Sequence, residues 1–228
     1  MAAIRSARDN RLLDALEDIS PEPFDGTAWR VVRDGRDAVQ CSAVGGRWDD
    51  RTFDVLYTSS RADGAIAEMY FHLSRGQPVF PSRVQYRLVE LSVTLSSCLR
   101  IASLTDLAVL GLRTEAFGQM SYAEREQEYP RTQEIAEAAQ FIGRDGLIVP
   151  SARSEWPNIV VVCDLAGPGA ATGDMPVGEN RIALQPQKPT TGQLGQMTLP
   201  PGDSAPFFSV VAGDAHFSTA SSKATARL

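Results

Sequence analysis

Apolar residues recur along this chain with two periods, and each change of period marks a boundary between elements. Near the start, Leu12, Leu13, Leu16 and Ile19 stand at three- and four-residue spacing, which predicts a short amphipathic helix ending before Pro21. Residues 27–33 (TAWRVVR) are aromatic and β-branched and lie between Gly26 and the Asp34-Gly35 turn pair, so they read as a strand. A second strand is expected to start at Phe53 in FDVLYTS. From Ser60 the period lengthens: Ala62, Ala65, Ile66, Met69, Tyr70 and Leu73 predict a helix over about 61–75, capped by Ser59 or Ser60 and stopped by Gly76 and Pro78.

Downstream, VQYRLVELSVTLSSCLRI alternates well enough to form one long strand or two consecutive ones. TDLAVLGL reads as a short helix, and RTQEIAEAAQFIG as an amphipathic helix with acidic residues near its start and Gly143 at its end. GLIVPSAR and WPNIVVVCDL supply two further apolar β runs. Residues 167–228 hold seven of the fourteen prolines and eight of the eighteen glycines, mixed with Ala, Ser, Thr and Gln, a composition that buries too little apolar surface to offset its ordering entropy. The reading is an α+β protein in three parts: an N-terminal helical segment at 1–26, a folded domain at 27–166, and a mostly irregular extension at 167–228 in which APFFSVVAG is the one candidate for a strand or a docked segment.

Composition then narrows the chemistry. With 43% hydrophobic and 22% charged residues in 228, the chain has enough apolar content for one core, and no long apolar run predicts a membrane anchor or signal peptide. A net charge of −6 argues against a nucleic-acid backbone as partner, although a few arginines in one pocket could still hold a small anion. Cys41, Cys98 and Cys163 are widely spaced, without a Cys-x-x-Cys or Cys/His cluster, so reduced thiols in the cytoplasm and no metal site are expected. No P-loop, dinucleotide fingerprint or Gly-x-Ser-x-Gly elbow is present, and the two histidines, His72 and His216, give a Ser-His-Asp machine little support.

Five polar residues remain as candidates, each with an ordinary structural explanation. Arg30 on its strand reads most simply as a surface or ion-paired group. Arg47 follows Gly45-Gly46, where a glycine loop allows close backbone approach while a guanidinium offers a fork of donors to phosphate. Tyr57 reads as a core aromatic with its hydroxyl satisfied at the edge. Glu68 lies among Ala65, Ile66, Ala67, Met69 and Tyr70, and either a partly desolvated carboxylate or an exposed helix flank suits that position. Ser151, after Pro150, reads equally as a turn or cap serine or as a ligand-binding one.

Taken in order, these residues resemble the RES domain, named for Arg, Glu and Ser. Its pattern is met by Trp29-Arg30, Gly45-Gly46-Arg47-Trp48, Leu56-Tyr57-Thr58-Ser59, Ala65-Ile66-Ala67-Glu68 and Val149-Pro150-Ser151-Ala152-Arg153, spanning roughly 27–165. The chain departs from it after Trp48, where Asp49-Asp50-Arg51-Thr52-Phe53 replaces the family's Asn and following Gly, so the resemblance implies no shape for this loop. What it does imply is an ADP-ribosyltransferase-like split β-sheet core with flanking helices, and the toxin half of a bacterial toxin–antitoxin pair. Such a toxin acts on NAD⁺ as substrate, by phosphorolysis with phosphate as co-substrate or by ADP-ribosyl transfer to a protein, and requires no cofactor. A helical, Xre-like antitoxin would be its partner, and an inactive RES-like binding module is the non-enzymatic alternative. Arg47 and Arg30 would hold phosphate groups, Tyr57 would pack on the nicotinamide or its ribose, Glu68 would stabilise the oxocarbenium-like transition state, and Ser151 would orient the substrate.

Overall fold

The computed structural model describes residues 8–74, 85–115, 117–119, 125–173 and 181–182. The chain opens with helix α1 (Asn10–Glu17), whose first turn is capped by the Asp9 carboxylate on the Arg11 amide, and which buries Leu12 and Leu16. Strand β1 (Glu22–Arg33) follows, then β2 (Val55–Ser59), helix α2 (Ala62–Ser74) and the long strand β3 (Tyr86–Arg100). The second half consists of α3 (Leu104–Val109), α4 (Arg125–Phe141), β4 (Gly146–Val149), β5 (Asn158–Val162), α5 (Cys163–Ala166), β6 (Ala171–Gly173) and β7 (Arg181–Ile182).

The strands form one sheet in the order β1-β2-β5-β4-β3-β6, with β1 also pairing β3 and β7 pairing β3. The expected α+β class holds, but the sheet is continuous where a split one was expected. The long antiparallel β1–β3 pair is joined to the antiparallel β2–β5–β4 set at two short seams. One seam is the parallel β3–β4 pairing over Cys98–Arg100, and the other is the single β1–β2 pairing of Trp29 with Ser59. The sheet therefore curls round on itself. Inside the curl, alternate residues of β3 (Val89, Leu91, Val93, Leu95) meet Ala28, Leu56, Ile148, Ile159 and Val161. On the outer face, Val55, Leu147, Val149, Val160 and Val162 pack against Leu12, Leu16, Leu107, Ile135 and Ala139 of the helices. Strands β4 and β5 are buried on both faces, which is why both read as unbroken apolar runs.

Several boundaries move for identifiable reasons. β1 begins at Glu22, ahead of the strand start expected at Thr27 and within the N-terminal segment at 1–26, because the register shifts between Glu22 and Phe24 and so accommodates Pro23, which has no N–H to donate. α1 is also tied to the body of the fold, with Arg8 bound to Glu137 on α4 at 2.6 Å. β6 and β7 lie beyond residue 166, where irregular chain was expected, and add to β3; APFFSVVAG falls outside the described residues. α4 starts at Arg125, ahead of the start expected at Arg131, because Pro130 sits inside the helix and gives up one backbone bond there. Gly143, at φ +80°, ends that helix as anticipated.

The cysteines also require a correction. Cys41 and Cys163, 122 residues apart in sequence, form a disulfide with their Cα atoms 6.5 Å apart. Sequence distance concealed their proximity. The Ser42–Val55 bridge and the Val55–Val162 pairing set the two residues side by side. Such bonds persist mainly in oxidising surroundings, against the reduced state expected of all three thiols. Cys98 is free and buried, and burial pushes its thiol up to about 12, which leaves it unreactive. Among the described residues no helix is long and apolar enough to cross a membrane.

Candidate active site

A cavity of about 400 Å³ opens between β1, the 44–48 loop, β2, α2 and the first residue of β5. Arg30, Arg47, Tyr57 and Glu68 all line it, so four of the five residues singled out in the sequence come together although 38 positions separate the first from the last. Ser151 reaches the site through Glu68: its hydroxyl donates to Glu68 Oε1 at 2.8 Å and accepts from the Arg153 amide at 3.0 Å. A second donor, Asn158 Nδ2, meets the same carboxylate oxygen at 3.1 Å. Glu68 is half-buried, which resolves the two positions that its helical spacing left open in favour of a partly desolvated carboxylate. No described residue donates to Oε2. One oxygen is fixed, and its twin remains available.

The Gly45-Gly46 loop is built differently. Asp49, fully buried, accepts from both glycine amides at 2.6 Å and from the Tyr57 hydroxyl at 2.9 Å. Gln133 on α4 donates to the carbonyls of Gly46 at 2.8 Å and Asp49 at 3.0 Å. Trp48, buried beside them, donates its backbone amide to Tyr57 Oη at 2.8 Å. The residue that departs from the family pattern therefore organises the loop. Because Asp49 occupies both glycine amides, they are not offered to an anion. Gly46 is required for close approach, since a Cβ there would lie 2.5 Å from Tyr57 Oη and 2.9 Å from Asp49 Oδ2. Burial, with the nearby Asp49 charge, raises the Tyr57 phenol well above its usual range. It stays neutral where it lines the cavity.

Three arginines border the cavity, each with a distinct tether. Arg47 pairs with Glu128 at 2.6 Å and lies over the rings of Phe117 and Tyr129, 4.5 and 4.9 Å from their centroids. Its side chain keeps 10% of its exposure and that of Glu128 5%, so the pair is desolvated. Arg30 donates to the carbonyls of Ala38 at 2.8 Å and Gln40 at 3.1 Å, and burial lowers its guanidinium from the ordinary value while Asp37 opposes the shift. It both lines the cavity and holds the chain that leads into the glycine loop. Arg153 lies over Phe71, bonds the Gly118 carbonyl, and is lowered by burial against the opposing pull of Glu68.

Arg153, Asn158, Asp49 and Glu128 were not read from the sequence as site residues. Asn158 was hidden at the head of an apolar strand, and Glu128 on two helical turns that Pro130 made look like loop. The one signal in reach was Arg153, adjacent to the Pro-Ser-Ala step already singled out. His72 is an exposed residue of the rim. Among the described residues no group of three or more His, Cys, Asp or Glu side chains is arranged to hold a metal ion.

The RES domain family matches residues 27–184. Among solved structures, one chain from the crystal structure of the M. tuberculosis MbcT-MbcA toxin-antitoxin complex is similar in fold, with a TM-score of 0.62 at 20% identity, covering 74% of this chain and 92% of that one. No curated protein matches the chain in sequence.

Proposed function

Because the chain belongs to the RES-domain family, which matches residues 27–184, we propose that it consumes NAD⁺, cleaving the nicotinamide–ribose bond by phosphorolysis as the toxin of a bacterial toxin–antitoxin pair. The observation that carries this reading is the pairing of one half-fixed carboxylate, Glu68, with three arginines around a cavity of about 400 Å³. That size falls in the lower part of the range of roughly 300–1,000 Å³ typical of small-molecule sites. Breaking an N-glycosidic bond builds positive charge on the ribose, and a carboxylate bonded to its hydroxyls stabilises that charge more in the transition state than in the ground state. Glu68 Oε2 suits that task. Nicotinamide leaves with the bonding electron pair, and the oxygen of inorganic phosphate attacks the ribose C1″ to give ADP-ribose 1″-phosphate.

The arginines supply the counter-charge. Arg47 spends one nitrogen on Glu128, leaving the rest of its fork for a pyrophosphate or the attacking phosphate, with Arg30 beside it. Tyr57 provides a wall for the nicotinamide or its ribose. The Ser151 hydroxyl is committed to Glu68, so its part is to set the carboxylate while the substrate is oriented by the cavity walls. A kinship with ADP-ribosyltransferases is part of the same proposal; it rests on the resemblance of the motifs and not on the sheet, which is continuous. No cofactor is required, a cytoplasmic place follows from the substrate, and the Cys41–Cys163 bond would then form against cellular thiols.

An Xre-like helical antitoxin covering the cavity is the expected partner, by analogy with the toxin–antitoxin complex that shares the fold. The test is to incubate the protein with NAD⁺ and phosphate and identify the products by ³¹P NMR. ADP-ribose 1″-phosphate supports phosphorolysis, and label from NAD⁺ appearing on protein indicates ADP-ribosyl transfer. Neither product, with NAD⁺ still bound, would make the chain an inactive binding module.

A further inference from the structure

Asn158 is the first residue of β5, held in register between Ser59 of β2 and Val149 of β4, and is 9% exposed. Its amide makes one side-chain bond, to Glu68 Oε1. A carboxylate only accepts, so the nitrogen must face Glu68 and the carbonyl must face away. That carbonyl, Oδ1, is buried and has no partner among the described residues. A buried amide satisfied at one end is a poor choice for stability, because an unmet acceptor loses its bonds to water and gains none in return. Its identity is explained by what the other end holds.

We infer that Asn158 is a positioning residue: with Ser151 it clamps Oε1 of Glu68 from two rigid elements, so that Oε2 is the oxygen turned to the substrate. The inference rests on the reading of Glu68 as the carboxylate that faces the ribose. The two donors come from different places, the residue after Pro150 and the head of β5, and converge on one oxygen at 2.8 and 3.1 Å. Two directional bonds fix both the position and the rotation of a carboxylate, where one would leave it free to swing. The other charged or titratable groups that line the cavity with it are Arg30 from β1, Arg47 from the glycine loop, Tyr57 from β2, His72 from α2, Tyr129 from α4 and Arg153 from the 151–156 turn.

The test compares Asn158→Leu, Asn158→Asp and wild type in thermal melts, steady-state kinetics against NAD⁺ and phosphate over a range of pH, and crystals of the leucine variant. Asn158→Leu is expected to melt at or above the wild-type temperature, because it removes an unmet acceptor, while kcat falls by about 10²-fold from a misplaced carboxylate and KM changes little. Asn158→Asp sets a second carboxylate against Glu68, and mutual repulsion moves the acid limb of the kcat profile to higher pH. Wild-type kcat in Asn158→Leu, or a fall in melting temperature that accounts for the lost activity, overturns the inference. If wild type itself leaves NAD⁺ intact, the reading of the site fails. The crystals then decide alone: a Glu68 carboxylate that has left its place supports the clamp, and one that has kept it with Ser151 unaided refutes it.

Discussion

The two sides of the cavity are held in opposite ways. On the glycine-loop side most of the strong polar groups are spent within the protein: Asp49 takes two amides and a phenol, Gln133 takes two carbonyls, and Arg47 gives one nitrogen to Glu128. On the Glu68 side one carboxylate oxygen is held by two neutral donors and its twin is left without a described partner. A loop so thoroughly bonded serves as framework, and a wall with spare capacity serves chemistry. The contrast implies that substitutions on the loop side act mainly on folding and those on the Glu68 side mainly on turnover.

The largest effect should come from Arg47→Ala, which removes the counter-charge from the Glu128 carboxylate in a dry place and leaves it the Gly118 amide, at 2.7 Å, as its described donor. Breaking a buried pair from one side costs about 3–5 kcal/mol, visible as a large drop in melting temperature. An unchanged melt would break the comparison, since Arg47 would then belong wholly to ligand binding. Next in size, Glu68→Gln should raise the barrier by roughly 2–4 kcal/mol, or about 10²–10³ in kcat, with an unaltered melt. Loss of stability there would erase the distinction from the other side.

Gly46→Ala comes third. Its methyl would press on Tyr57 Oη and Asp49, and overpacking of this kind costs about 1–3 kcal/mol of stability, measurable by urea unfolding. The smallest effect sharpens the comparison through pH. Tyr57 titrates above the ordinary phenol range in the folded state, so its contribution to stability is complete below about pH 10. It declines as pH rises from there towards the folded value, because the unfolded phenol ionises first. Alkaline melts should show this decline in wild type and not in Tyr57→Phe; an identical slope in both would place the phenol elsewhere than between Asp49 and Trp48.

Much of this arrangement was legible in the chain because it rests on local pattern. Three- and four-residue spacing located α2 and so put Glu68 on a helix beside the apolar stripe, and alternation located β3, leaving open one strand or two where the fold has one. What stayed hidden depends on contacts between distant residues. Asp49 looked like a departure from the family loop because its three donors come from Gly45, Gly46 and Tyr57, which only the folded chain brings round one carboxylate. Asn158 was concealed by the apolar run it heads, and Glu128 by Pro130, which made helical residues read as loop. The Cys41–Cys163 pair was invisible for the same reason, since two strand pairings, not spacing, bring it together.

The central claim is that Glu68 is the carboxylate that drives cleavage of NAD⁺ in a cavity whose glycine loop is bonded into the fold apart from it. It is tested most directly by nicotinamide release from NAD⁺, with and without inorganic phosphate, for wild type and Glu68→Gln matched by their melting curves. The account predicts phosphate-dependent release by wild type and about 10²–10³ less by the equally stable variant. Equal release by the two proteins, or none from wild type under either condition, would contradict it.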